Sequence, residues 1–108
     1  MASATIEHTF AALADPTRVD IVMRLSRGVA TVGDLAEPFD MSLRAVLKHV
    51  QVLEAAGVVR TVKRGRVRLC ELVPAPIDDA SRWIDQLRRR WDRRLDRIEQ
   101  YLEKEGKE

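Results

Sequence analysis

The 108-residue chain has one cysteine, Cys70, and two histidines. No apolar run approaches the ~20 residues that span a membrane. A single thiol excludes a disulfide within the chain, and a tetrahedral zinc site built on cysteines has no ligands to draw on. The opening stretch, Met1 to Asp15, lacks the charged-then-apolar pattern of a secretory signal. Internal repeats and low-complexity linkers are absent. No Ser-His-Asp or Cys-His set, glycine-rich phosphate loop or paired carboxylates in a cleft are indicated, so an enzyme is not expected. The expectation is a cytoplasmic protein that binds something, without a cofactor or a membrane.

What the chain has is charge, unevenly placed. Hydrophobic residues make up 45% and charged residues 33%, which fits one folded domain, 1–108, with a modest core. Between Ser42 and Leu69 stand Arg44, Lys48, Arg60, Lys63, Arg64, Arg66 and Arg68, with Glu54 the only acid. That local charge of +6 leaves −4 for the remainder of a chain whose total is +2. A basic face on an otherwise acidic body points to a polyanionic partner.

Apolar spacing then orders the chain. Ile6, Phe10 and Leu13 recur at four and three and predict a helix over 5–13. Asp15 can cap a second helix whose first position is Pro16, and that helix is expected to run to about 27 and bury Val19, Val22, Met23 and Leu25 before Gly28. Thr31 with Asp34 resembles a capping box, opening a third helix whose apolar face is Val32, Leu35, Ala36 and Phe39. Pro38 and Asp40 stop it. Ser42 caps a fourth helix over 43–56, ended by Gly57. Its Val46, Val50 and Leu53 form a stripe to bury, and Arg44, Lys48 and Gln51 lie on another face.

Two β-branched runs, 58–62 and 67–73, flank Lys63-Arg64-Gly65-Arg66 and predict a hairpin that turns at Gly65. Pro74 and Pro76 close the second strand. A last helix follows over 77–104. Its Ile84, Leu87, Trp91, Leu95, Ile98 and Leu102 step by three and four over five turns. So long a stripe has too little of its own domain to cover it, which predicts a second subunit against it, with the first helix alongside. The fold class is mainly α with a small β hairpin, in the outline of a winged helix-turn-helix: five helices, a two-stranded wing, and a homodimer formed by the first and last helices. The DNA-binding core is expected over 15–73, with dimerisation helices over 3–14 and 77–104.

Several segments together resemble the ArsR family of bacterial winged helix-turn-helix repressors. They are Phe10-Ala11-Ala12-Leu13-Ala14-Asp15-Pro16-Thr17-Arg18, Thr31-Val32-Gly33-Asp34-Leu35-Ala36, Met41-Ser42 through Lys48-His49, and Val52-Leu53-Glu54-Ala55-Ala56-Gly57-Val58-Val59. The likeness covers about residues 8 to 73, and the last helix fits more loosely. It implies a homodimer, the fourth helix as recognition helix, and repression relieved by a metal, a small molecule or a redox change. Two departures stand out. Val32 to Phe39 contains no Cys or His, and the last helix has Asp78, Asp79, Asp85, Asp92 and Asp96 but no His, so neither of the family's metal sites can be built. The likeness is therefore to its non-metal-sensing branch. The second departure is Leu47, where the family usually has a small polar residue.

These readings name the site residues. Arg44, Lys48 and Gln51 are expected to enter the major groove, with Arg44 or Gln51 able to read a G or A edge. Ser42 and Thr31 cap helices whose N-termini favour a phosphate. Leu47 has two open readings, a thymine methyl contact or packing against the third helix. His49 is expected half-buried, bonded to a backbone group or a phosphate; His8 has no visible partner. Lys63, Arg64 and Arg66 are expected along the minor groove or its phosphates. Ile6, Phe10, Ile84, Leu87, Trp91, Leu95, Ile98 and Leu102 are expected at the dimer interface.

Arg88, Arg89, Arg90, Arg93 and Arg94 are read as a solvated face, with Asp85–Arg89 and Arg88–Asp92 ion pairs. Trp83 and Trp91 pack at the interface or line a ligand pocket. Cys70 packs, or serves as a redox switch between subunits. The leading function is a sequence-specific repressor, a homodimer on double-stranded DNA, acting on neighbouring genes and its own. The alternatives are a protein–protein module on this scaffold and a metal- or redox-responsive repressor with unrecognised ligands. No effector is named by the residues.

Overall fold

The computed structural model describes residues 2–106; residues 1, 107 and 108, which the single-domain expectation spans, lie outside the described residues. Helix α1, Ala2–Leu13, leads into helix α2, Pro16–Leu25. Asp15 caps α2 by accepting the Arg18 N–H at 3.1 Å, and Pro16 takes the first position, where a missing N–H costs nothing. Strand β1, Ala30–Thr31, and the short helix α3, Val32–Ala36, share Thr31. Its hydroxyl accepts from the Asp34 N–H at 3.0 Å, and the Asp34 carboxylate accepts from the Thr31 N–H at 3.2 Å, the reciprocal bonds of a capping box. Helix α4, Leu43–Ala55, starts on Ser42, whose Oγ accepts from the Ala45 N–H at 3.1 Å.

Strands β2, Val59–Arg64, and β3, Val67–Leu72, form the hairpin, in register from Val59 opposite Leu72 to Arg64 opposite Val67. The loop is Gly65-Arg66. Gly65 has φ +62° and no non-glycine residue described has positive φ, the sign pattern of a type II′ turn. Helix α5, Pro74–Gly106, completes the chain. Pro74 and Pro76, expected to close the strand, instead lie in the first turn of α5, where the helix needs no amide donors.

Five helices and a wing agree with the expected fold, and one element is added. Ala30 and Thr31 pair with Cys70 and Leu69, so the sheet has three strands in the order β1-β3-β2. A two-residue strand is too short to show alternation. The core joins Ile21, Leu25, Leu35, Val46, Val50, Leu53, Val58, Val59 and Cys70. Cys70 is fully buried and packs there.

The buried face of α2 differs from expectation. Ile21 and Leu25, one turn apart, point inward; Val19 and Met23 are exposed, Met23 at 62%, and Val22 is half-buried. α2 turns one edge, not a broad face, to α4. Phe39 packs on the core from the turn after α3, which ends earlier than expected. No helix described is long and apolar enough to cross a membrane.

Candidate nucleic-acid interface

The site grows from the division of α4 into two faces. Val46, Val50 and Leu53 are fully buried, and each such side chain contributes roughly 1.5–3 kcal/mol of apolar burial. That inner stripe fixes the helix's rotation. Arg44, Lys48 and Gln51 are thereby turned to solvent, and among the described residues none of the three side chains has a hydrogen bond or ion pair. Lys63, Arg64 and Arg66 at the hairpin tip are exposed and equally unpartnered.

Other charges of the basic stretch are taken up locally. Arg60 pairs across the strands with Glu71 at 3.3 Å. Glu54, the one acid, accepts the Thr61 hydroxyl at 2.6 Å. Among the described residues, the side-chain cations of this stretch without an ion pair or hydrogen bond are Arg44 and Lys48 on α4, Lys63, Arg64 and Arg66 at the wing tip, and the half-buried Arg68 on β3.

Between α4 and the wing lies an open groove of about 380 Å³. Thr31, Val32 and Gly33 form one wall, Leu43 and Leu47 the floor, and Arg66, Val67 and Arg68 the other wall. Leu47 is half-buried: it packs against the core, as one of its two readings expects, and also lines this groove. Leu43 and Arg68 belong to the groove and were not singled out from sequence. Alternation along the hairpin could have placed Arg68 there.

His49 lies on a different flank of α4, half-buried. Its Nδ1 is 3.2 Å from a terminal nitrogen of Arg18 and 3.8 Å from Asp15 Oδ2. Half burial is as expected, and within the chain the Nδ1 partner is a side chain of α2, not a backbone group. The Arg18 N–H bonded to Asp15 holds that carboxyl below its ordinary value of 3.8, and burial works against this. Asp15 therefore adds stability that is complete above 3.8 and is lost as pH falls through the lower folded-state value. Burial pushes the Cys70 thiol up, which disfavours the thiolate a redox switch would use. Among the described residues no three His, Cys, Asp or Glu side chains gather as metal ligands would.

The residues expected at a dimer interface divide. Ile6 is buried inside the protomer. Phe10 meets Trp83 edge-on, ring centroids 5.8 Å apart, joining α1 to α5 within one chain. Ile84, Leu87, Trp91, Leu95, Ile98 and Leu102 stay 40–62% exposed along α5. The expected Asp85–Arg89 and Arg88–Asp92 pairs are not closed; on α5 the ion pair described is Arg82–Asp79. Exposed pairs gain little over solvation, so open side chains are the physical default.

Comparison with known proteins gives consistent matches. A family model described as a helix-turn-helix domain matches residues 13–62. The HTH-type transcriptional regulator Rv2034 of Mycobacterium tuberculosis is 34% identical over 100 residues, covering 93% of this chain and 91% of that protein. The transcriptional repressor SdpR of Bacillus subtilis is 30% identical over 79 residues, covering 73% and 88%. The crystal structure of an ArsR family transcriptional regulator, RHA00566, superposes with a TM-score of 0.79 at 43% identity, covering 83% of this chain and 93% of that one.

Proposed function

From the premise that the chain belongs to the ArsR family of winged helix-turn-helix proteins, and is a DNA-binding transcriptional regulator, we propose that it is a repressor. It acts as a homodimer on a pseudo-palindromic operator, which includes the control region of its own gene. One α4 enters each of two major grooves about 34 Å apart, one helical turn. Arg44 and Gln51 read base edges, Lys48 and the caps at Ser42 and Thr31 hold phosphates, and Lys63, Arg64 and Arg66 follow the minor groove. The second subunit covers the stripe of α5. The protein works by binding, in the cytoplasm, and its releasing signal is not a metal held at the family's two usual sites, for which this chain has no ligands.

One observation carries this reading: the unpartnered cations and Gln51 sit together on the outer side of a helix whose inner side is fully buried. The test is fluorescence anisotropy with DNA from upstream of the gene and with duplexes selected from random sequence, across a salt series. A steep fall of affinity with salt is expected, at about −0.9 in slope for each phosphate neutralised. Lys48→Ala should weaken all sequences alike, and Gln51→Ala should change the preferred sequence. A flat salt response without sequence preference would sink the proposal. A stoichiometric protein partner recovered under those conditions would favour the protein–protein module instead.

A further inference from the structure

One guanidinium ties three helices together. Arg18 stands in the first turn of α2. Its Nε donates to the Ala12 carbonyl near the end of α1 at 2.6 Å, and its terminal nitrogen reaches Nδ1 of His49 on α4 at 3.2 Å. Its own N–H is held by Asp15. Arginine offers donors only and keeps its proton, so Nδ1 of His49 is the acceptor. A neutral imidazole carries a single N–H, which is then on Nε2. The link therefore requires a neutral His49 in one tautomer.

We propose that Arg18 is a positioning residue for DNA recognition: through His49 it locks the angle of α4 against α1, and so the separation of the two recognition helices in the dimer. The proposal rests on reading α4 as the recognition helix and α5, on which α1 packs, as the dimer interface. The inner valines fix how α4 rotates, but the hydrophobic effect is non-directional and does not by itself specify a tilt. A directional bond from α1's terminal carbonyl, through one planar guanidinium, to the middle of α4 supplies that constraint. The planar fork holds both partners at fixed angles, which the rotatable ammonium of a lysine does not.

The same geometry makes the link sensitive to protonation. A protonated imidazole has no acceptor and turns Nδ1–H toward Asp15 Oδ2, 3.8 Å away. Arg18 and Asp15 are the charged groups of α2 facing the ring. α1 presents the Ala12 carbonyl there, and its His8 lines a nearby groove with Ala12 and Val52.

The experiment measures the ratio of affinities for a selected duplex and a random duplex. It compares wild type with Arg18→Met, His49→Phe, the double variant and His49→Asn, which keeps an acceptor near the Nδ1 position. Arg18→Met and His49→Phe should each lower the ratio about tenfold, the scale of one hydrogen bond to a charged group. The double variant should fall no further, and His49→Asn should stay near wild type.

If Arg18→Met does not fold, the two His49 variants still decide. A wild-type ratio retained by His49→Phe, losses that multiply in the double variant, or a His49→Asn ratio as low as that of His49→Phe would each overturn the inference. A wild type without sequence preference would overturn the DNA-reading proposal beneath it as well.

Discussion

Helices α4 and α5 carry the same kind of apolar stripe and meet opposite fates. In α4 the stripe of Val46, Val50 and Leu53 is fully buried, enclosed by α2, α3 and the sheet. In α5 six apolar residues from Ile84 to Leu102 stand 40–62% exposed. The difference is length and neighbours. α4 has 13 residues inside a ring of other elements. α5 has 33 residues, roughly 50 Å at 1.5 Å per residue, and α1 covers only its beginning, where Ala80 is buried and Trp83 meets Phe10. Hydrophobic spacing thus identifies a face that must be covered, without saying which chain covers it.

The largest effect that separates the two helices is expected from truncation. Leu53→Ala should cost about 3 kcal/mol or more, because it opens a cavity among fully buried neighbours. Leu95→Ala should cost a dilute protomer about 1 kcal/mol or less, since Leu95 is 44% exposed and its loss opens no enclosed cavity. Denaturant titration at low protein concentration measures both. Equal losses would mean that α5 is as enclosed as α4, and the contrast would fall.

The next effect tests what covers α5. Changing Leu95 and Ile98 together to Asp places charge in the middle of the stripe. A subunit interface there should lose more than about 2 kcal/mol, roughly a thirtyfold weaker dimer, because central buried apolar residues dominate such contacts. Sedimentation velocity over a concentration series should show dimer for wild type and monomer for the variant, with helix content retained. A wild type that stays monomeric at every concentration would remove the homodimer from the proposal.

Body and arm also differed in how far their sequences could be read. The caps at Asp15, Thr31 and Ser42 were legible because each is a local bond between residues three apart. The rotation of α4 was legible because its stripe is closed within the chain. Ile21 was not picked out from α2, whose apolar residues are spread around the helix, so only the position of α4 selects the buried edge. β1 was invisible because two residues carry no period, and its pairing with Cys70 and Leu69 spans some forty positions. The link from Arg18 to His49 joins residues 31 apart and has no local pattern. Asp15-Pro16-Thr17-Arg18 reads as a helix start, and it does start the helix, but Arg18's second task exists only once α1, α2 and α4 have met.

The smallest effect separates two arginine-rich surfaces. The wing tip offers Arg64 and Arg66 beside Lys63, and α5 offers Arg90, Arg93, Arg94 and Arg97 around a shallow groove. By count of cations α5 is the richer surface, yet Asp92, Asp96 and Glu99 are interleaved with its arginines. The wing tip has no acid between Lys63 and Arg68, and its Arg66 lines a groove with Leu43 and Leu47 of α4. A phosphate backbone responds to net local potential, so the wing should neutralise phosphates and α5 should not. Arg66→Gln should then reduce the slope of log affinity against log salt by about 1 for each wing in contact, with a similar loss for matched and unmatched sequences. Arg94→Gln should leave the slope unchanged. Anisotropy titrations at five salt concentrations resolve a change of that size. A slope that falls with Arg94 and not with Arg66 would move the polyanion surface from the body to the arm, and with it the assignment of what each helix's exposed face is for.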